Sequence, residues 1–189
     1  MPDAYVLFGF PVQHSWSPFI HGMFARQAAQ DMSYRLFETP PERFRNDALA
    51  FFSGGGAGAN VTLPHKAAAF AAADVKHDSA LAVGAANTMW LEDGKLHGAN
   101  SDTYGFMTHL EVSAPGWSKR DAPVAILGAG GSARAIIYGF LDAGVPERRT
   151  DRVAARSPAA TAGCERRHCG RARGRVRHPD PVGRPAGRG

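Results

Sequence analysis

The chain has 189 residues, 44% of them hydrophobic and 21% charged, with two cysteines and a formal net charge of +5. That length suits one domain or two small ones, and the composition is that of a globular chain rather than a disordered or fibrous one. No apolar run approaches the roughly 18 residues of a membrane span, and MPDAYVLFGF lacks the pattern of a signal peptide, so a cytoplasmic chain without a membrane partner is expected.

The charge is unevenly spread. Residues 145–189 hold twelve arginines against four acids, whereas residues 1–144 hold ten lysines and arginines against thirteen acids. From Val145 onward there is no Leu, Ile, Met, Phe, Tyr or Trp. Such a segment buries too little apolar surface to offset the entropy of ordering it, and it is expected to be disordered. A nucleic-acid-binding arm has a similar charge, but this tail lacks the interleaved aromatics of a single-strand binder, and no nucleic-acid partner is expected. Cys164, His168 and Cys169 also lie there without a fourth ligand at suitable spacing, so no metal is expected.

In chain order, AYVLFGF reads as a short buried strand. Ser17 is expected to cap a helix with Pro18 at its first position, followed by Phe19, Ile20, Met23 and Phe24 at helical spacing to about Gln30. SYRLFET alternates like a strand. PERFRNDALAFFS has a proline in its first turn and Phe44, Leu49, Phe51 and Phe52 to pack on a sheet. GGGAGANVTLP is a glycine-rich turn into a very short strand stopped by Pro64, and HKAAAFAAADV is a strong helix former. NTMWLEDGKLHGAN predicts a hairpin turning at Asp93-Gly94, and SDTYGFMTHLEV a helix capped by Ser101 or Asp102. PVAILGAGGSARAIIYGFLDAG predicts a buried strand, a glycine turn and an apolar helix closed by Gly144. Strands alternating with helices argue for α/β layers, with parallel strands in the last section.

LGAGGSARA has the form of a dinucleotide-binding turn. Gly128 allows the tight turn, Gly130 lets the backbone approach a pyrophosphate, and Ala133 is the small residue for close packing; Ala129, Gly131 and Ser132 complete the loop at the helix N-terminus. Arg152 and Arg156 stand where an acidic residue would read NAD, which suits a 2′-phosphate, although surface arginines in a tail are an equal reading. GANVTLPHK presents Asn60, Thr62 and Lys66 around a strand end, GAANT presents Asn87, and GANSDTYGF presents Asn100 and Asp102. Singly these are ordinary turn chemistry, and a lysine opening a helix is usually solvated. His14 and His21 are expected to pack in the core or at a rim.

Taken in order, GFPVQHSWSPFIH, GANVTLPHK, GAANT, GANSDTYGF and LGAGGSARA closely resemble the shikimate dehydrogenase family over about residues 4–144. The resemblance implies an NADP-dependent oxidoreductase interconverting 3-dehydroshikimate and shikimate, in the pathway to chorismate and the aromatic amino acids. It implies an α/β fold: an N-terminal substrate-binding domain, residues 1–110, followed by a linker and the first βα unit of a Rossmann-type NADP domain, residues 111–144. Ser15 and Ser17 would bind the substrate carboxylate, and Asn60, Thr62, Asn87 and Asp102 the ring hydroxyls. Lys66 and Asp102 would be the catalytic pair, with Lys66 also touching substrate. Gly128, Ala129, Gly130, Gly131, Ser132, Ala133 and Arg156 would serve the cofactor.

Two departures from the family pattern stand out. Asn100-Ser101-Asp102 replaces the usual N-T-D, and after Gly144 the family's later segments give way to the arginine-rich tail at 145–189. The composition change is expected from a truncated or frameshifted coding sequence, with impaired turnover. The other readings are a non-catalytic shikimate-binding remnant and a quinate/shikimate dehydrogenase using NAD. A monomer or a homodimer is expected.

Overall fold

The computed structural model describes residues 2–119 and 123–145, which fall in one compact unit, Met1–Arg148. Arg156 and the other expectations placed on residues 146–189 lie outside the described residues. The elements in chain order are β1 (Asp3–Gly9), α1 (Ser17–Gln27), β2 (Met32–Glu38), α2 (Phe44–Ser53), β3 (Gly58–Val61), α3 (Lys66–Ala72), β4 (Val75–Lys76), α4 (Asp78–Val83), β5 (Thr88–Glu92), β6 (Lys95–Ala99), α5 (Asp102–Ser113) and α6 (Gly131–Asp142). The fold is mixed α/β, with one six-stranded sheet in the order β2-β1-β3-β5-β6-β4. β1 pairs in parallel with β2 and β3, and the β5–β6 hairpin, turning at Asp93-Gly94, joins antiparallel to β3.

The alternation of β1 and β3 separates a core face from a cleft face. Val6, Phe8, Ala59 and Val61 join Phe44, Ala48 and Phe52 of α2, Ala69 of α3 and Ala80 of α4 in the core. Phe8 is its centre, tilted against Phe37 and edge-on to Phe44 and Phe51. Leu7 and Asn60, out of phase with these, line the cleft. The strand ends approach closely there: a Cβ on Gly9 would meet Thr62 Cγ2 at 2.6 Å, so a larger residue would push β1 away from the turn that carries Thr62.

Several boundaries differ from the sequence reading. Trp16, not Ser17, is the N-cap of α1, which puts Ser17 and Pro18 one position further into the helix. The Ser17 backbone N–H is taken by the Ser15 hydroxyl at 3.2 Å, so Ser15 supplies the bond expected from a capping side chain. The helix stops at Gln27 because the chain turns through Ala29 at a φ of 52°. α2 begins at Phe44, after the turn that contains Pro41. β4 and α4, of two and six residues, were not legible as elements.

The larger correction concerns Val124–Leu127, expected as a buried strand in a parallel sheet. These residues pair with no strand, and Leu127 is 98% exposed. A parallel strand needs a hydrogen-bonded neighbour, and none is offered to it among the described residues. The helix that follows does form: α6 packs Ala135 on Val83 and Ala85, Phe140 edge-on to Phe106 of α5, and Gly139 against Met107.

His65, just before α3, is 1% exposed. Its ring stacks on Phe44 at 4.7 Å, and Nε2 lies 2.8 Å from the Thr39 carbonyl oxygen. Burial pushes its pKa below the ordinary 6.5, and the bond to Thr39 opposes that only in part. The folded chain therefore holds His65 neutral at pH values where the unfolded chain is already protonated. Stability is full above about pH 6.5 and falls as pH drops through 6.5 toward the lower folded value, by at most about 1.4 kcal/mol per pH unit. His21, also lowered by burial, acts in the same direction. Urea unfolding between pH 7.5 and 5 is expected to show this loss, with H65Q flattening the slope; a profile identical in H65Q would remove His65 as its source.

Candidate active site

A cleft of about 660 Å³ opens at the carboxyl ends of β1 and β3, lined among others by His14, Ser15, Trp16, Ser17, Asn60, Thr62, Lys66, Asn87 and Asp102. All seven residues expected at the substrate therefore meet in one place, although they span 88 positions of sequence. Ser15 and Ser17 come from the loop into α1, Asn60 from the end of β3, Thr62 from the turn after it, and Asn87 from the residue before β5. Lys66 and Asp102 are the first residues of α3 and α5.

The Lys66 ammonium donates to Asp102 Oδ2 at 2.5 Å and to Ser132 Oγ at 3.0 Å. Lys66 is 8% exposed, so its aliphatic stem is buried while Nζ reaches the cleft. A cation on the first residue of a helix faces the positive end of the dipole, and Asp102 offsets that; the carboxylate in turn sits favourably at the start of α5. Asp102 Oδ1 accepts from Asn87 Nδ2 at 2.8 Å, and the Asp102 backbone N–H donates to Asn100 Oδ1 at 2.8 Å. Asn100, buried, anchors its own amide on the Ala85 carbonyl at 3.0 Å. Asn87 Oδ1 accepts from the Ser101 N–H at 3.1 Å and from Thr88 Oγ1 at 2.9 Å. The pair is thus fixed from both sides, and a buried, hydrogen-bonded Lys–Asp pair is suited to hold and deliver a proton.

At the other end of the cleft, the Ser15 and Ser17 hydroxyls lie 3.0 Å apart, at the N-terminus of α1, whose first turn carries no acidic residue. Between the two ends stands Tyr34 of β2, which the sequence reading did not single out. Its hydroxyl donates to Asn60 Oδ1 at 2.8 Å. The other side of its ring stacks on His21 at 4.2 Å. Burial raises the phenol pKa well above 10, which keeps it a donor. Thr88 was missed as well: it sits opposite Asn60 across β3 and β5, and Asn60 Nδ2 reaches it at 3.4 Å.

The glycine turn is also part of this neighbourhood. Gly128 adopts a φ of 121°, open space surrounds the Cα of Gly130, and α6 starts without a side-chain cap or an acidic residue in its first turn. These features fit the pyrophosphate of a dinucleotide. Gly131 lies against the Lys66 side chain, where a Cβ would stand 3.4 Å from it, and Ser132 faces Lys66 rather than outward.

The serine pair at the start of α1, the Asn60, Thr62 and Asn87 side chains and the Lys66–Asp102 pair thus line one cleft, and Ser132 of the glycine turn reaches Lys66. Residues 7–89 match the family model described as the shikimate dehydrogenase substrate binding domain. The chain is 49% identical over 137 residues to the shikimate dehydrogenase (NADP(+)) of Brucella canis, covering 72% of this chain and 47% of that protein. Among solved structures, the shikimate dehydrogenase of Aquifex aeolicus superposes with a TM-score of 0.70 at 34% identity, over 75% of this chain and 53% of the other. The Thermus thermophilus shikimate 5-dehydrogenase in complex with shikimate gives 0.67 at 32% identity, over 76% and 54%. The chain spans about half the length of these relatives. Among the described residues no helix is long and apolar enough to cross a membrane, and no group of three ligating side chains is placed to hold a metal.

Proposed function

We propose that this chain binds shikimate and carries the acid–base half of its NADP-dependent interconversion with 3-dehydroshikimate. The observation that carries this reading is the Lys66–Asp102 pair at 2.5 Å, set in the cleft that also holds Ser15, Ser17, Asn60, Thr62 and Asn87. Ser15 and Ser17 take the carboxylate at the start of α1, and Asn60, Thr62 and Asn87 take ring hydroxyls. In reduction Lys66 donates a hydrogen bond, then a proton, to the oxygen that gains negative charge. Asp102 holds the ammonium in line and takes part in returning the proton; Asn87 keeps the carboxylate turned toward it. In oxidation the same pair removes the proton from the substrate hydroxyl. The cofactor, when bound at Gly128–Ala133, supplies the hydride in reduction and accepts it in oxidation. Arg156 is the candidate for its 2′-phosphate.

Binding and turnover are expected to part company in these 189 residues. The substrate cleft is complete in every residue named for it, whereas Val124–Leu127 pair with no strand and so give the glycine turn no sheet behind it. Titration calorimetry with shikimate and with NADP separately is expected to show shikimate binding and weak or no NADP binding. An assay with the protein in stoichiometric amounts, with NADP or NAD and with shikimate or quinate, is expected to give slow oxidation of shikimate with NADP. No binding of shikimate would overturn the proposal. Turnover at a rate typical of a full-length enzyme would overturn the expected separation.

A further inference from the structure

We infer that Tyr34 is a positioning residue of the substrate cleft, acting through Asn60; this rests on the shikimate-binding reading above. The argument starts from the amide of Asn60. An asparagine side chain carries one acceptor and two donors, and it reads a ligand only if its flip state is fixed. Asn60 Oδ1 is occupied by the Tyr34 hydroxyl at 2.8 Å, whose single proton points that way. Nδ2 is thereby turned toward Thr88 Oγ1 and the Asn87 carbonyl, each at 3.4 Å. Without the phenol, the amide would be free to rotate and present its oxygen where a ligand hydroxyl now meets a donor.

The same hydroxyl is tied, through Asn60, to the acid–base end of the cleft. Ser17, whose hydroxyl lies 3.0 Å from that of Ser15, is at the other end of the same cleft as Asn60. The connections run from Asn60 to Thr88, from Thr88 Oγ1 to Asn87 Oδ1 at 2.9 Å, and from Asn87 Nδ2 to Asp102 Oδ1 at 2.8 Å. Asp102 holds Lys66. Tyr34 is therefore the outer end of one ordered network that runs through Asn60 to the Lys66–Asp102 pair. His21, stacked on the ring at 4.2 Å with planes 4° apart, keeps the phenol from swinging out.

The test is a double-mutant cycle on the full chain, read by titration calorimetry with shikimate and no cofactor. Y34F keeps the ring and its stack on His21 while removing the hydroxyl. It is expected to weaken shikimate binding about tenfold, the size of one lost net hydrogen bond, with a thermal midpoint close to that of the unaltered chain. In an N60A background the same change is expected to cost less than about twofold, because the group it positions is gone. Should Y34F fail to fold, Tyr34→Leu, an apolar side chain without a donor, is read in the same way. Unchanged affinity in Y34F would overturn the inference, and so would an equal loss with and without Asn60, since that would assign Tyr34 to wall packing alone. If the unaltered chain does not bind shikimate, the underlying reading fails instead, and the two failures are told apart by that first titration.

Discussion

Lys66→Ala is expected to cut shikimate oxidation by about 10²–10⁴, the range that a positioned acid–base group contributes. On the proposed reading Lys66 is the proton donor to the reacting oxygen, and among the described residues no other lysine lines the cleft. Asp102→Asn keeps an oxygen and the shape of the side chain but removes the charge that holds the ammonium; a loss of about 10² is expected. Shikimate affinity is expected to change by no more than about tenfold in either variant, since the carboxylate and most hydroxyl contacts stay. Rates measured at stoichiometric protein over hours keep the comparison meaningful in a slow chain, and circular dichroism checks the fold. K66A within tenfold of the unaltered chain would remove Lys66 from the chemistry. A loss in binding equal to the loss in rate would make it a binding residue only.

Much of the cleft could be read from the sequence because its groups sit at element ends. Ser15, Ser17, Lys66, Asn87 and Asp102 all stand within a residue or two of a helix or strand terminus, where glycine, proline and small polar residues punctuate the chain. Tyr34 and Thr88 escaped notice for the opposite reason. Both lie inside strands with ordinary alternation, and their roles come from sheet pairing: Thr88 faces Asn60 through the antiparallel β3–β5 register, and Tyr34 reaches Asn60 from the far side of β1. Register between distant strands is not written in either strand alone. β4 and α4 are too short to show a period, and they are held by the Asp74 carboxylate on the Leu96 N–H and by the Ser79 hydroxyl on the Asn100 N–H. Val124–Leu127 failed in the other direction: an apolar run has the propensity of a buried strand, but a strand is defined by its partners. Ser132 was read only as part of the glycine turn, whereas its hydroxyl is turned to Lys66.

Ser15→Ala together with Ser17→Ala is expected to weaken shikimate binding about 100-fold, some 1.4 kcal/mol for each lost charge-assisted bond. The two hydroxyls are 3.0 Å apart and converge on the start of α1, an 11-residue helix whose dipole also favours an anion there. Val12 and Glu38 hold this loop from behind: the Val12 N–H donates to Glu38 Oε2, and the Ser15 N–H to the Val12 carbonyl, both at 3.0 Å. The serines are therefore set in place before ligand arrives, and little ordering cost is charged against their bonds. Charge is what distinguishes this role from general polarity. The methyl ester of shikimate lacks the carboxylate but keeps the ring hydroxyls, so it is expected to bind the unaltered chain weakly and to lose less than about threefold more in the double variant. Calorimetry with acid and ester on both proteins, alongside a melting curve for the Ser15 bond to the Ser17 N–H, separates the cases. Equal losses for acid and ester would mean that the serines read hydroxyls or merely shape the loop, and the orientation of shikimate in the cleft would have to be reversed.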